Sequence, residues 1–222
     1  MASAVTQAAD DSRVVCSRYG KSGLRQAIKR LIDILVAGLL LVMLSPLFLI
    51  LAIAVKLSSP GKIFYRWRVV GQGGRPFLSY KFRSMVHHAD DLKVQLEASN
   101  EMTGPVFKIT NDPRVTRTGR WMRRYSLDEL PQFYSVLKGD MSLVGPRPPL
   151  QTEYARFTRF QKQKLAVKPG ITCLWQVSGR NRVRNFDEWV RLDLEYIRTW
   201  SLALDLQILM RTLAEVFRGS GK

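Results

Sequence analysis

The most restrictive feature of this sequence is one apolar run, residues 31–55, LIDILVAGLLLVMLSPLFLILAIAV. Only Asp33, Ser45 and Pro46 depart from apolar or glycine character. As a helix rising about 1.5 Å per residue the run reaches roughly 37 Å, enough to cross a hydrocarbon core of about 30 Å. It is too long for the apolar part of a cleavable signal, no small-residue cleavage site follows, and thirty residues precede it. Pro46 removes a backbone hydrogen bond near the middle, and the Ser45 hydroxyl can take a freed carbonyl. Basic residues flank both ends: Arg13, Arg18, Lys21, Arg25, Lys29 and Arg30 before, Lys56, Lys62, Arg66 and Arg68 after. The positive-inside rule therefore places both ends on the cytoplasmic side. A spanning helix satisfies one end only. A helix bent at Ser45-Pro46 that enters and returns satisfies both, with a kinked single span as the alternative. Asp33 suits an interfacial position or a pairing with Lys29 or Arg30.

The second constraint is charge. The 222 residues carry 35 Lys and Arg against 18 Asp and Glu, a formal charge of +17. Such a chain meets nucleic acid, anionic lipid or phosphate-rich substrates, unless the excess serves only solubility. Apolar residues at 46% exclude a disordered chain. Two cysteines, Cys16 and Cys173, make no disulfide framework. Walker A, dinucleotide, HExxH and Cys/His-cluster patterns are all missing. His87-His88 reads as an exposed or satisfied pair rather than a metal site.

The patterning predicts an α+β fold, mostly helical: a mobile basic tail over 1–25 and a single membrane-associated domain over 26–222. Ile63–Tyr65 and Phe77–Tyr80 are strand candidates around Gly71-Gln72-Gly73-Gly74, a small hairpin. Helices are expected over 86–99, 126–138, 150–166, 186–199 and 202–217. Gly145-Pro146-Arg147-Pro148-Pro149 forbids regular structure. The last two helices carry the stripe Trp189, Leu192, Tyr196, Trp200, Leu206, Leu209, Leu213, Val216 and Phe217. Core packing and a membrane interface both fit it.

Chemistry concentrates in residues 110–149. Arg114, Arg117, Arg120, Arg123 and Arg124 stand directly before Ser126-Leu127-Asp128-Glu129. A solvated basic face and a phosphate site both fit the arginines. The acidic tetrapeptide fits a capping box, with Ser126 as N-cap and Glu129 at the third position, although Pro131 then lacks an N–H that the helix would use. It also fits a carboxylate pair with divided tasks, one attacking phosphorus and the other holding Mg²⁺.

At these residues the sequence resembles the monotopic phosphoglycosyl transferases of bacteria. The resemblance rests on SLDELPQ (126–132), LKGDMSLVGPRP (137–148), KPGITCLWQVSGRN (168–181), YKFRSM (80–85) and the Ser45-Pro46 break, and runs from about Lys29 to Phe217. It implies a re-entrant membrane helix, interfacial helices and a domain on the cytoplasmic face of the bacterial inner membrane. It implies transfer of a sugar-1-phosphate from a UDP-sugar to undecaprenyl phosphate, releasing UMP, at the first membrane step of exopolysaccharide, capsule or O-antigen synthesis. By the same resemblance Asp128 is the nucleophile of a ping-pong reaction through an aspartyl phosphosugar, and Asp128 and Glu129 place Mg²⁺. Lys81, Arg83, Arg123 and Arg147 are expected to balance diphosphate charge, and Arg180, Asp193 and Glu153 are further substrate-site candidates. Membrane lipid is an implied partner, nucleic acid is not, and a homodimer is a candidate assembly. Similarity in the C-terminal third points to a hexose, glucose or galactose. Longer members carry a membrane bundle and a further domain before this unit, so the catalytic unit alone is expected. Cys173 replaces a common Gly, and Tyr125 a common small polar residue.

Two rivals belong to other classes. A membrane-anchored nucleic-acid binder would use the +17 charge, but the arginines surround carboxylates that repel a phosphate backbone. A non-catalytic scaffold would not need an intact Asp128-Glu129 pair or the Pro-Arg-Pro element.

Overall fold

A computed structural model describes residues 23–179 and 183–221. Helix α1 (Gly23–Met43) and helix α2 (Ser45–Ser58) meet at a 62° bend. The chemistry of the break is local. Pro46 has no N–H to offer the Val42 carbonyl, and the Ser45 hydroxyl donates to that oxygen at 2.8 Å. Normal helical bonds resume on either side, Leu44 N–H to Leu40 and Phe48 N–H to Leu44. Among the described residues no single helix is long and apolar enough to cross a membrane, and the bent pair is so only together. Leu35, Leu39, Val42, Met43, Leu49, Ile50, Ile53 and Leu57 around the bend are exposed. The expected tail lies almost wholly outside the described residues, and Gly23–Arg25, assigned to it from sequence, are helical.

One face of α1 packs into the protein, while Leu24, Leu31 and Ile32 on the same helix are exposed. Lys29, Asp33 and Ala37 are buried. Asp33 accepts from the Leu143 N–H (2.9 Å) and the Ser142 hydroxyl (3.1 Å). Neither expected partner makes that bond. Lys29 binds Asp205 at 2.6 Å and the Val144 carbonyl at 3.0 Å. Arg30 donates to the Val136 and Leu137 carbonyls at 2.6 and 2.7 Å.

The hairpin exists and is longer than expected. Strands β1 (Phe64–Val70) and β2 (Pro76–Phe82) pair antiparallel from Phe64↔Phe82 to Val70↔Pro76. Arg66 and Arg68 alternate with buried Trp67 and Val69, a half-buried strand pattern disguised by its basic outer face. The helix expected over 86–99 is instead 3₁₀ turns over Asp91–Ser99 with no buried residue. Without a packed face nothing selects the longer α geometry.

Helix α3 (Arg117–Arg124) precedes a 3₁₀ turn, Leu127–Glu129, and helix α4 (Gln132–Lys138). The continuous helix expected over 126–138 is thus split, because Pro131 opens α4 instead of lying inside it. Two strands not expected from sequence, β3 (Ser142–Val144) and β4 (Gly170–Thr172), pair in parallel. They touch through glycines: a Cβ on Gly170 would lie 2.1 Å from the Gly145 nitrogen.

The helix expected over 150–166 is three pieces, α5 (Gln151–Tyr154), α6 (Arg159–Lys162) and a 3₁₀ turn Gln163–Ala166. Thr158 and Gln161 form a capping box that restarts the chain after the break. Helix α7 (Leu174–Val177) leads to α8 (Phe186–Thr199) and α9 (Leu202–Arg218). These last two divide the aromatic stripe. Trp189 and Tyr196 of α8 are core, whereas Leu206, Leu213 and Phe217 of α9 are exposed.

Candidate active site

A cavity of about 280 Å³ opens between the hairpin, the Leu127–Glu129 turn and the C-terminal helices. Strand β1 supplies Trp67 and β2 supplies Lys81. The last turn of α3 supplies Arg123, and the loop after β3 supplies Arg147. Helix α3 backs closely onto the end of the hairpin. A Cβ on Gly119 would sit 1.9 Å from the Ser84 carbonyl oxygen, so only glycine allows the approach. Arg123 is then fixed by its Nε bond to the Ser84 hydroxyl at 2.9 Å.

The acidic pair sits at the centre. Ser126 is left-handed (φ 55°) and makes no side-chain cap, which corrects the capping-box reading. A non-glycine residue in that region is unfavourable and must be held by its surroundings. The turn it creates directs Asp128 and Glu129 into the cavity, with Asp128 8% exposed. Glu129 pairs with Lys81 at 2.8 Å and with Arg147 at 3.6 Å. The Lys81 ammonium also lies 3.9 Å from the Trp67 ring centroid, and the Arg147 guanidinium 5.5 Å from it. Burial pushes the Asp128 carboxyl above the usual carboxylate range, the Glu129 charge adds to this, and Lys81 and Arg123 oppose it. Burial lowers the Lys81 ammonium, against the pull of Glu129.

The sequence-predicted residues separate into three groups. Asp128, Glu129, Lys81, Arg123, Arg147 and Glu153 all line the cavity. Arg83 and Asp193 do not. Arg83 donates to the Pro60 carbonyl, to Ser59 at 2.8 Å and to Val55 at 3.3 Å, closing the C-terminal end of α2. Asp193 lies behind the wall and pairs with Lys164 at 2.6 Å. Burial raises the Asp193 carboxyl, and Lys164 opposes the rise. Arg180 lies outside the described residues. Of the arginine series only Arg114 and Arg123 reach the cavity, and Arg117, Arg120 and Arg124 are exposed. Arg114 is buried against Asp112 at 2.6 Å.

Lys164, Trp175 and Trp189 are wall residues that sequence reasoning did not place at the site. Trp175 stands in the quoted KPGITCLWQVSGRN stretch and Trp189 in the aromatic stripe, and Lys164 is a lysine followed by three apolar residues in KLAVKPG; none of these signals pointed to the cavity.

No group of three His, Cys, Asp or Glu residues suited to a metal occurs among the described residues. The site offers two carboxylates on one turn. That donor set fits Mg²⁺, which takes one or two carboxylates and leaves its other positions to water and substrate phosphate. His87 and His88 are exposed, with His88 Nδ1 3.1 Å from Asp91.

Residues 24–219 match the model of the bacterial sugar transferases. The chain belongs to that family. It is 47% identical over 195 residues to the galactosyl transferase CpsE of Streptococcus agalactiae, covering 87% of this chain and 43% of that protein. It is 41% identical over 197 residues to the exopolysaccharide production protein ExoY of Sinorhizobium fredii, covering 87% of each. It is 41% identical over 205 residues to the UDP-glucose:undecaprenyl-phosphate glucose-1-phosphate transferase of Escherichia coli, covering 89% of this chain and 41% of that protein. The chain thus spans under half the length of two of these relatives and most of the third. The Asp128-Glu129 turn and the Arg147 loop both fall within the stretch matched to this sugar transferase family.

Proposed function

We propose that this sugar transferase family member moves a sugar-1-phosphate from a UDP-sugar to undecaprenyl phosphate, releasing UMP. The observation that carries the reading is the buried Asp128-Glu129 turn sharing one cavity with Lys81, Arg123 and Arg147. Phosphoryl transfer needs placement and charge balance more than covalent novelty, and this constellation supplies both.

In the proposed reaction the Asp128 carboxylate attacks the β-phosphorus of the UDP-sugar. The bond from that phosphorus to the oxygen bridging α and β breaks, and UMP leaves with the electron pair. An aspartyl phosphosugar remains. A phosphate oxygen of undecaprenyl phosphate then attacks the same phosphorus, the acyl phosphate P–O bond breaks, and Asp128 is regenerated. Two displacements at one carboxylate mean ping-pong kinetics. Lys81 and Arg123 favour the ionised form of Asp128 and offset part of the effect of burial. Arg147, aimed by the flanking Pro146 and Pro148, presents a planar fork to phosphate oxygens. Mg²⁺ bound through Asp128 and Glu129 would neutralise diphosphate charge.

The bent α1–α2 pair fits a re-entrant anchor on the cytoplasmic face of the inner membrane. Its exposed apolar side, with Leu206, Leu213 and Phe217 of α9, offers a surface for lipid. An anchor of this kind holds the cavity at headgroup depth, where a polyprenyl phosphate presents its charged end. The product serves the first membrane step of exopolysaccharide, capsule or O-antigen synthesis.

The test is UMP release by detergent-solubilised protein with Mg²⁺, undecaprenyl phosphate and a panel of UDP-sugars, beside Asp128→Asn and Glu129→Gln. The expected result is release with a UDP-hexose that Asp128→Asn abolishes. Release undiminished in Asp128→Asn, or none with any sugar nucleotide from folded protein, overturns the reading.

A further inference from the structure

The cavity has two chemically different ends. One is the charged group around Asp128. The other is aromatic, and charge balance does not explain it. Trp175 and Trp189 stack with ring centroids 3.8 Å apart and planes 13° from parallel, and Phe186 meets Trp189 edge-on at 5.6 Å. Lys164 lies against this wall, 4.9 Å from the Trp189 ring centroid, held by its ion pair to Asp193. Glu153 lies at the same end, with one carboxylate oxygen accepting the Leu150 N–H at 2.9 Å. Trp175 is 5% exposed and lines the cavity, and its indole N–H has no hydrogen-bond partner among the described residues. A buried donor without an acceptor costs folding free energy and is rare unless water or a ligand supplies the acceptor, and this donor faces a cavity open to both.

Arg147 joins the two ends. It lies 3.6 Å from Glu129, and its charge is felt by both Glu153 and Asp193. We propose that the Trp175–Trp189 wall, with Lys164 and Glu153, is the sugar subsite, where Trp175 donates its indole N–H to a hydroxyl of a hexopyranose.

This rests on the function proposed above, and it follows from the connectivity of that substrate. The sugar is bonded directly to the phosphate that Asp128 attacks, whereas the nucleoside is one phosphate further away. The group entering the space next to Arg147 is therefore the sugar. The chemistry agrees. The ring C–H bonds of a pyranose make an apolar face that suits the electron-rich face of an indole. Its hydroxyls need a few fixed donors and acceptors, here the Trp175 N–H, the Lys164 ammonium and the Glu153 carboxylate. A wall of this composition discriminates hydroxyl configuration, because a misplaced hydroxyl leaves buried polar groups unpaired.

The experiment uses the full chain in detergent. Trp175→Phe keeps an aromatic ring and removes the N–H. Glu153→Gln removes an acceptor. For each variant two quantities are read: KM for the UDP-hexose that the wild type uses, and the inhibition constant of UDP, which has both phosphates and the nucleoside but no sugar. The expected result is a KM raised about three- to tenfold, the worth of one hydrogen bond, with UDP inhibition unchanged. The ratio of turnover between UDP-glucose and UDP-galactose should shift in the same variants. Equal weakening of UDP and UDP-hexose would place the nucleoside here and overturn the assignment. An unchanged KM in a folded Trp175→Phe protein also overturns it, and Glu153→Gln decides the question if Trp175→Phe does not fold. A wild type that turns over no UDP-sugar instead defeats the parent reading, and that outcome is visible before any variant is made.

Discussion

Two buried lysine–carboxylate pairs in this protein look alike as distances and differ in everything around them. Lys29–Asp205 is 2.6 Å and Lys81–Glu129 is 2.8 Å, with lysine side chains 10% and 13% exposed. Around the first, Lys29 also donates to the Val144 carbonyl, and Asp205 accepts from the Tyr196 hydroxyl at 2.8 Å and the Trp200 indole at 3.2 Å. That pair ties α1, β3, α8 and α9 together and does not line the Asp128 cavity. The second pair borders open space beside Asp128, Arg123 and Arg147. With all five side chains ionised, three cations stand against two carboxylates. A charge pair whose polar atoms are consumed by the fold is a joint. One that borders a cavity with cationic excess is prepared for an anion.

Breaking the reactive side gives the largest expected effect. Asp128→Asn should lower transfer by about 10⁴-fold or more, since it removes the proposed nucleophile. Its stability should move the other way. Burial raises the Asp128 carboxyl above its unfolded value, so the folded state loses stability as pH rises through that range. A neutral amide removes the penalty, and the melting temperature at pH 7 should hold or rise. A clear fall would mean that Asp128 is a joint like Asp205.

Breaking the structural side should reverse the pattern. Asp205→Ala leaves the Lys29 ammonium buried without its carboxylate, at a cost of about 3–5 kcal/mol. Thermal unfolding in detergent should show it as a large drop in melting temperature. The paired change Lys29→Met with Asp205→Leu should recover part of that drop, because no buried ammonium is left unpaired while the Trp200 indole still loses its acceptor.

A finer test concerns geometry rather than charge. Arg147→Lys keeps the cation and loses the fork, so kcat/KM should fall about ten- to a hundredfold, the loss of one charge-assisted hydrogen bond of about 1.5–3 kcal/mol. Stability should barely change, since Arg147 is one-third exposed.

The smallest effect marks how closed the wall behind the cavity is. Cys173 is 1% exposed, and burial pushes its thiol up to about 12. At pH 8 only about 10⁻⁴ of it is thiolate, so folded Cys16→Ser protein should resist iodoacetamide and the denatured protein should react fully. Rapid labelling of the folded protein would show that the wall opens.

Much of this division was readable before any coordinates. Pro46 and the charge flanks pointed to a broken helix, because proline lacks a donor wherever it stands. Asp128, Glu129, Lys81, Arg123 and Arg147 were legible through their motifs, and one cavity gathers them all. The errors have physical sources. Arg83 belongs to the same quoted motif as Lys81 and, two residues on, would share its face if the strand continued, but β2 ends at Phe82 and Arg83 turns to the carbonyls ending α2. Asp33 was assigned from its place in an apolar run, yet its partners in β3 are more than a hundred residues away.

The sequence by itself determined the local events: where the apolar helix breaks, where two carboxylates stand beside a basic segment, and which segments are apolar enough to be buried. Those follow from single side chains and short spacings. Only the tertiary structure decided which charges become joints and which face the cavity, that Ser126 is left-handed instead of a cap, and that Lys164, Trp175 and Glu153 share one wall. These depend on long-range contacts such as Gly119 against Ser84 and Gly145 against Gly170. Burial and partners set the worth of a charge or an indole N–H, and both are properties of the folded chain.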